Sequence, residues 1–425
     1  MSGVPWALTC VSCGTSFPGL EVRYRCTCGD VLDVVHDDAP LDPSMRARFD
    51  ERRGSIDPID RSGVWRFREL VLPLDAEHVV TRPEGNTNLY AAPALAAWCG
   101  VDDLRLKHEG ENPTGSFKDR GMTVGISVAK RLGLASVACA STGNTSASMA
   151  SYAAVAGMRA FVFIPGGAVA YGKLAQSLAY GARTIQIDGD FDAAMALVER
   201  VCTERGTYLL NSINPFRIEG QKAIAFELVQ DLGWSVPDWI VVPGGNLGNS
   251  SAIFKGLAEL RSAKLIPRLP RIAVVQATGA DPFYRAFVAK RNLVPLDGPE
   301  TLATAIRIGN PVSWRKSLRG VVATNGIVEE VTDQEIMDAK AKVDAAGIGA
   351  EPASCASVAG IKKLVARRVI RHDQSVVAIL TGNLLKDPDA VIRYHQGTLD
   401  GIASTHANAP VRVAATLEAV LEAMK

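Results

Sequence analysis

Short apolar runs alternate with longer amphipathic segments along this chain from about residue 85 onward. The apolar runs predict buried β-strands, and they read LRLKHE, SVACAS, RAFVFIP, RTIQID, TYLLN, WIVVPGG, RIAVVQA and SVVAILTG. Helical patterns lie between them, among them GMTVGISVAKRLG, TSASMASYAAVAG and FDAAMALVERVCTER. This alternation predicts an α/β protein with largely parallel sheets, in which ligands bind at the carboxyl ends of the strands.

Glycine and hydroxyl residues collect directly after several of these strands. The loops read STGNTSAS, PGGNLGNSS and TGNLLKDP, and the first two each open a predicted helix, the first at Thr145 or Ser146. In PGGNLGNSS the glycines let backbone N–H groups approach an anion, and the dipole of the following helix favours negative charge. This loop therefore predicts a phosphate cradle, although it is neither a Walker A loop nor GxGxxG. A glycine turn without a ligand is the alternative for each loop.

The composition argues against nucleic acids and membranes as partners. Lysine plus arginine number 46 and aspartate plus glutamate 45 in 425 residues, so the chain lacks the basic field of a nucleic-acid binder. No apolar run reaches the ~20 residues that span a bilayer, and MSGVPWALTC does not read as a secretory signal. We expect a cytoplasmic protein that binds a small molecule in a local site.

Cysteines are concentrated near the N-terminus, in the pairs CVSCG and CTCG. A strand-like LEVRYR separates the pairs and a strand-like VLDVV follows, which is the layout of a zinc ribbon with Cys10, Cys13, Cys26 and Cys28 as ligands. The second pair is C-x-C rather than C-x2-C, so an empty, reduced remnant is the alternative, and a disulfide is the least favoured state. The remaining cysteines are predicted to be buried free thiols: Cys99, Cys139, Cys202 and Cys355.

A single lysine, Lys118, stands in a turn rich in glycine and hydroxyl residues, ENPTGSFKDRGM. A lysine amine in such a place is suited to Schiff-base chemistry with a carbonyl compound. The alternative is a surface lysine paired with Asp119.

Four motifs in order, NPTGSFKDRG, STGNTSAS, PGGNLGN and TGNLLKDP, resemble the threonine synthase family of fold-type II pyridoxal-phosphate (PLP) enzymes. The resemblance covers about residues 64–387 and begins with SGVWRFREL and EGNTNLY. It implies that Lys118 carries PLP as a Schiff base and is the catalytic residue. Two positions depart from the family pattern: Asn88 stands where proline is usual, and Leu384 where glycine is common. Neither departure removes a catalytic group, but both bear on substrate preference.

The resemblance also implies the residues that bind the cofactor. Asn144 would bind the ring hydroxyl of PLP, and Thr381 would face the pyridine nitrogen. Because a hydroxyl is neutral, it cannot stabilise a pyridinium as an aspartate does, so the ring would be a weaker electron sink. The cofactor phosphate would be held by the backbone amides of Gly245, Asn246, Leu247, Gly248 and Asn249.

The substrate-binding residues implied by the resemblance fall in two groups. Ser141 and Thr145 would bind the substrate carboxylate. Asn211, Ser212, Arg217 and Asn246 would surround a substrate phosphate. The stretch NSINPFR supports the second group independently, because arginine suits bidentate binding of phosphate.

The expected architecture is the tryptophan synthase β-like fold, with two open parallel-sheet α/β domains. We assign residues 1–40 to a zinc-ribbon-like module and residues 41–85 to an arm or linker. Residues 86–115 and 215–425 form the expected large PLP-binding domain, and residues 116–214 the expected small mobile domain.

The function that the resemblance implies is conversion of O-phospho-L-homoserine and water into L-threonine and phosphate, by a protein that is commonly a homodimer. One alternative is a β-replacement or β-elimination enzyme of the same fold, such as a cysteate synthase that acts on O-phosphoserine. A PLP-binding or zinc-dependent regulatory protein without turnover is another. Release of phosphate would separate the enzymes from the regulatory protein.

Overall fold

The computed structural model describes residues 4–37, 42–166, 171–188 and 191–425, and these residues form three β-sheets. The boundary that we predicted between residues 40 and 41 lies outside the described residues. In chain order the strands are β1 (Trp6–Cys10), β2 (Ser16–Pro18), β3 (Leu32–His36), β4 (Leu89–Ala91), β5 (Asp103–His108), β6 (Ser136–Ala140), β7 (Arg159–Pro165), β8 (Arg183–Ile187), β9 (Tyr208–Leu209), β10 (Trp239–Pro243), β11 (Arg271–Ala277), β12 (Ile327–Val331) and β13 (Ser375–Leu380).

The helices follow the predicted alternation. They are α1 (Met45–Arg53), α2 (Arg68–Val71), α3 (Pro93–Cys99), α4 (Lys118–Arg131), α5 (Asn144–Val155), α6 (Tyr171–Ala179), α7 (Phe191–Arg205), α8 (Pro215–Gln221), α9 (Ala223–Asp231), α10 (Gly248–Ser262), α11 (Pro282–Val288), α12 (Trp314–Ala323), α13 (Asp333–Ala345), α14 (Pro352–Ala366), α15 (Pro388–His395) and α16 (Leu417–Ala423). No helix in the described part of the chain is long and apolar enough to cross a membrane.

The two larger sheets are parallel except at one edge. The six-stranded sheet has the order β12-β11-β10-β13-β5-β4, with β4 antiparallel to β5, and the four-stranded sheet has the order β8-β7-β6-β9. In β10, Ile240 and Val242 pack into one core while Trp239 and Val241 pack into another on the opposite face. Helices cover both faces, which is why this strand is apolar throughout. The predicted parallel α/β architecture is confirmed.

The N-terminal sheet is antiparallel, with the order β2-β1-β3. The predicted strand VLDVV is confirmed by β3, but the prediction of a strand at LEVRYR is wrong, because only Arg25 pairs there, in an isolated bridge with Val31. Tyr24 draws this segment toward the main body: its ring lies 5.9 Å from that of Tyr208, and its hydroxyl accepts a 2.8 Å hydrogen bond from the Leu209 N–H.

Residues 42–85 fold onto the main core. Val64, Trp65 and Phe67 have no exposed surface, and the Trp65 indole N–H donates a 2.8 Å hydrogen bond to Thr123 on α4. The division into a large and a small domain stays a prediction. β6–β9 lie within residues 116–214, and the six-stranded sheet takes its strands from both sides of that segment.

Candidate active site

A cavity of about 1090 Å³ lies where the carboxyl ends of β6, β10 and β13 meet. Its lining contains every residue that the sequence analysis proposed for the cofactor and the substrate: Lys118, Ser141, Asn144, Thr145, Asn211, Ser212, Arg217, Gly245, Asn246, Leu247, Gly248, Asn249 and Thr381. Parallel strands bring the loops after β10 and β13 to one edge of the six-stranded sheet, and the loop after β6, from the four-stranded sheet, meets them there. Residues more than two hundred positions apart in sequence therefore share one cavity.

Lys118 is the first residue of α4, directly after the loop that precedes this helix, and its side chain lines the cavity. The loop is tied to the one after β13, because the Phe117 N–H donates a 3.1 Å hydrogen bond to the Thr381 carbonyl and Ser116 pairs with Gly382. Burial, together with the nearby positive charge of Arg217, lowers the pKa of Lys118 to about 7. A sizeable fraction of this amine is therefore unprotonated near neutral pH and able to attack a carbonyl.

Asp119 stabilises the lysine loop without pairing with Lys118. Its carboxylate accepts hydrogen bonds from the Thr114 N–H at 2.7 Å, the Thr114 hydroxyl at 2.6 Å and the Ser148 hydroxyl at 2.5 Å. Burial raises the pKa of Asp119 to about 6. The alternative of a surface lysine paired with Asp119 is wrong, since the carboxylate is buried against Thr114 and Ser148 and Lys118 faces the cavity.

A buried ionic network fixes the rest of the first turn of α4. Arg120 donates to Glu109 and to Glu227, each at 2.7 Å, and all three side chains are buried. Arg66 and Lys107 also contact Glu227, at 3.0 and 2.7 Å. Removing one partner from such a network leaves an uncompensated buried charge, so the start of α4 is held firmly in place.

The loop between β10 and α10 has the geometry of an anion cradle. Leu247 has a φ of +62°, and α10 begins at the next residue with its first backbone amides unpaired along the helix. A Cβ on Gly245 would lie 3.0 Å from Cα of Ile306, so the close approach of these backbones favours glycine. Both polar atoms of the buried Asn249 side chain lack a partner among the described residues. Together these features fit the phosphate group of PLP.

Asn246 and Asn211 are in the cavity lining, but their side chains already have partners. The Asn246 Oδ1 accepts a 2.6 Å hydrogen bond from the Val312 N–H. The Asn211 amide is bonded at both ends to the main chain of Ala140, at 2.9 and 3.0 Å. Asn211 therefore joins the end of β9 to β6, and its role toward a substrate stays a prediction.

The side chains of Thr381 and Asn144 each have a polar partner in the structure. The Thr381 hydroxyl lies 3.0 Å from that of Ser354, and the Asn144 amide nitrogen donates to Glu351 at 3.2 Å. Asn144 is the first residue of α5, one position before the predicted helix start. Their proposed contacts with the PLP ring stay predictions.

Four charged residues of the cavity lining were not predicted as site residues: Glu111, Arg307, Glu351 and Lys386. Glu351 is 5% exposed at the start of α14, and burial raises its pKa. Lys386 donates a hydrogen bond to Oε1 of Gln176. Lys386 lies inside TGNLLKDP, a loop that the sequence had already indicated, whereas nothing near Glu351 in the sequence marks it as a cavity residue.

Arg217 is a buried cation of the cavity with unpaired hydrogen-bond donors among the described residues. Its side chain is 1% exposed, one terminal nitrogen donates a 3.0 Å hydrogen bond to the Leu210 carbonyl, and the other two guanidinium nitrogens have no partner among the described residues. Burial lowers the pKa of Arg217 to about 10, which still leaves it charged. A buried guanidinium without a carboxylate is costly unless an anion binds to it.

The four N-terminal cysteines lie together, outside this cavity. Their sulfur atoms are all within 4.8 Å of one another, and the Cys10–Cys28 and Cys13–Cys26 sulfur pairs are 3.5 Å apart. Four thiolates at this spacing fit one tetrahedral zinc ion, whose Zn–S bonds are about 2.3 Å. The zinc would hold the turn at each cysteine pair and thereby support a sheet of three short strands.

Cys13→Ser is expected to release about one zinc ion per chain while the protein keeps its PLP absorbance, because no cysteine of the cluster lines the cavity. Metal analysis and visible absorbance of the same sample measure both. Cys99→Ala, which changes a buried thiol outside the cluster, is the control and should retain the metal. Zinc that persists at full stoichiometry in Cys13→Ser would place the metal elsewhere.

Comparisons with known proteins agree with the site. Residues 80–382 match the family described as pyridoxal-phosphate dependent enzyme. A threonine synthase of Methanocaldococcus jannaschii is 46% identical over 386 residues, covering 90% of this chain and 94% of that protein. One from Methanosarcina acetivorans is 47% identical over 390 residues, covering 91% and 93%. The structure of maize serine racemase matches with a TM-score of 0.62 at 22% identity, covering 76% of this chain and 93% of that one, which shows a shared fold.

The fold, the cavity lysine and the anion cradle together define a PLP-dependent enzyme of fold-type II. The two curated relatives match about nine-tenths of this chain, and both are threonine synthases, which identifies the family within this class of enzymes. The chain belongs to the threonine synthase family and is a PLP-dependent lyase. The resemblance inferred from the four motifs is confirmed.

Proposed function

We propose that this protein converts O-phospho-L-homoserine and water into L-threonine and phosphate. The observation that carries the proposal is the buried guanidinium of Arg217, which faces the cavity with two unpaired nitrogens while the loop after β10 already provides a separate cradle for the cofactor phosphate. Two anion sites in one cavity suit a phosphorylated amino acid better than an unphosphorylated one. The relatives from M. jannaschii and M. acetivorans carry the same activity in their names.

We propose that Lys118 is the acid–base residue that transfers protons in this reaction. PLP, when bound, supplies an electron sink that allows protons to leave carbon atoms next to the substrate amine. The Lys118 amine, with its pKa near 7, can accept a proton from Cα and give it up again before it accepts one from Cβ. It can return that second proton to Cγ after the phosphate has left, so the amine holds only one transferred proton at a time. Its position at the start of a firmly held helix keeps the amine at the same place through these steps.

Arg217 would hold the phosphate both before and after it leaves the substrate. A guanidinium at this place stabilises the charge that develops on the departing group. The retained phosphate is then a base that can activate the water which adds to Cβ. Bulk water must be excluded while this happens, because reactive intermediates otherwise give side products.

Closure of the cavity and the assembly of the protein are also proposals. The unit of residues 116–214 would close on the rest of the chain when substrate binds, and two copies would form a homodimer in the cytoplasm. Small-angle scattering with and without substrate tests both structural points, since the scattering mass gives the number of chains and the radius of gyration reports closure.

Purified protein with PLP should release phosphate from O-phospho-L-homoserine and form L-threonine in equal amounts. O-phospho-L-serine, one methylene shorter, is the comparison substrate and should react much more slowly. Phosphate release and amino-acid product are measured in the same reaction. Faster release from phosphoserine would favour a β-replacement or β-elimination enzyme, and no release from either compound would favour a protein without turnover.

A further inference from the structure

Lys386 is a second lysine of the active-site cavity and has no role in the chemistry described above. It ends the short 3-10 turn Leu384–Lys386 after β13. A Cβ on Gly115 would lie only 2.9 Å from Cε of Lys386, so the lysine stem lies against the loop that carries Lys118. Its ammonium group is therefore held close to the reacting part of the cavity.

The Lys386 ammonium has no carboxylate partner at ion-pair distance among the described residues. It donates to the neutral Oε1 of Gln176, which belongs to α6, and both residues line the cavity. The side chain is partly buried, and burial lowers its pKa. A cation placed in a cavity with only an amide oxygen as partner can still gain a charge-assisted hydrogen bond from an anionic ligand.

The position of Lys386 indicates which anion this is. The Lys386 stem lies against Gly115, and the Glu351 carboxyl lies against Gly382, which pairs with Ser116 of the same loop. Glu351 also accepts the hydrogen bond from Asn144 at the start of α5. Lys386 thus lies toward the loop of residues 141–145, where the first turn of α5 carries no acidic residue. Arg217 reaches the cavity separately, from α8, with its contact at Leu210.

The charges of the proposed substrate match these two positions. Phosphohomoserine carries a phosphate at one end and a carboxylate beside its amine at the other. Arg217 accounts for the phosphate, and the amine must lie next to Lys118. The carboxylate then needs a second cation within reach of Lys118, and Lys386, whose stem lies against the loop that carries Lys118, is placed to provide it.

We propose that Lys386 binds the α-carboxylate of the amino-acid substrate and that Gln176 holds its ammonium in place until the substrate arrives. This inference rests on the proposed function for the identity of the substrate, but it applies to any amino acid that binds in the cavity. Burial of Glu351 supports it, since a raised pKa reduces the repulsion between that carboxyl and a bound carboxylate.

The test compares L-threonine with L-threoninamide, which lacks the carboxylate charge, by titrating each into the PLP-loaded protein and following the visible absorbance of the cofactor. Lys386→Met keeps the side-chain volume and removes the charge. We expect it to raise the Kd for threonine about tenfold to a hundredfold and to change the Kd for threoninamide less than about threefold. Gln176→Ala, which removes only the amide partner, should weaken threonine binding far less.

Each other result overturns the inference. Equal weakening of both ligands would mean that Lys386 shapes the cavity rather than binding a carboxylate. If Gln176→Ala raised the Kd for threonine as much as Lys386→Met does, the hydrogen bond between the two residues, and not a contact of Lys386 with the carboxylate, would support threonine binding. If Lys386→Met weakened the binding of phosphohomoserine without changing the Kd for threonine, Lys386 would bind the phosphate instead. The inference would also be refuted if threonine did not change the cofactor absorbance of the wild-type protein. Failure of the proposed function is recognised separately, because it shows as no phosphate release by the wild-type protein.

Discussion

Lys118→Ala is expected to abolish turnover of phosphohomoserine and leave the protein folded. The lysine is the proposed point of attachment for PLP and the proposed carrier of the Cα, Cβ and Cγ protons, so its loss removes both functions at once. The substitution creates no core cavity, because the side chain extends into the active-site cavity rather than between packed helices. Phosphate release, measured beside the thermal unfolding midpoint, separates loss of chemistry from loss of fold.

Lys130→Ala is the matched control, since Lys130 is an exposed lysine near the other end of the same helix. It should keep full activity and the wild-type absorbance of bound PLP, whereas Lys118→Ala should lose the absorbance of the Schiff base. Retention of even about a tenth of the wild-type activity by Lys118→Ala would remove Lys118 from its proposed role.

Many of the strands, and the meeting of the loops after β10 and β13, follow from local sequence. RIAVVQA and RAFVFIP coincide with β11 and β7, and FDAAMALVERVCTER coincides with α7. Such runs are predictable because a strand buried on both faces must be apolar along its whole length. Once the six-stranded sheet is parallel, the loops after β10 and β13 must meet at its carboxyl edge. The loop after β6 belongs to the four-stranded sheet, and its place in the same cavity depends on how the two sheets pack, which the local sequence does not determine.

Features that depend on distant partners were not predictable. The strand β12 reads IVEEV, and its two adjacent glutamates do not predict a buried strand. Glu329 is nevertheless only 1% exposed, because Arg367 at the end of α14 forms an ion pair with it. LEVRYR has strand composition, but Tyr24 packs on Tyr208 and takes it out of the sheet. In each case a partner far away in sequence outweighs the local preference.

Glu351 shows the same limit within the active site. Its carboxyl lies in the cavity because α14 begins beside Gly382, whose missing side chain makes room for it: a Cβ there would lie 2.4 Å from Oε1 of Glu351. The unpaired nitrogens of Arg217 are equally invisible in the sequence. A motif can indicate that an arginine binds phosphate, but only the fold shows that, in the described part of the chain, no carboxylate lies at ion-pair distance from it.

Arg217→Leu is expected to lower kcat/KM for phosphohomoserine roughly thirtyfold to several hundredfold while PLP affinity changes little. A charge-assisted contact of guanidinium with phosphate contributes about 2 to 4 kcal/mol, and each 1.4 kcal/mol is roughly a factor of ten. The ligand-free protein should lose little stability or none, because leucine removes a buried charge whose one hydrogen-bond partner among the described residues is the Leu210 carbonyl. Steady-state kinetics, a PLP titration and thermal unfolding measure the three effects.

Arg205→Leu, at the exposed end of α7, is the control for loss of a positive charge and should leave kcat/KM unchanged. The result that decides the assignment is the response of Arg217→Leu to added cofactor. If activity returns when PLP is supplied in excess, Arg217 belongs to the cofactor site, and the case for a phosphorylated substrate loses its main support. If activity stays low with PLP fully bound while the protein remains as stable as the wild type, the defect lies in binding the substrate phosphate, because a merely structural arginine would have lowered the unfolding midpoint as well.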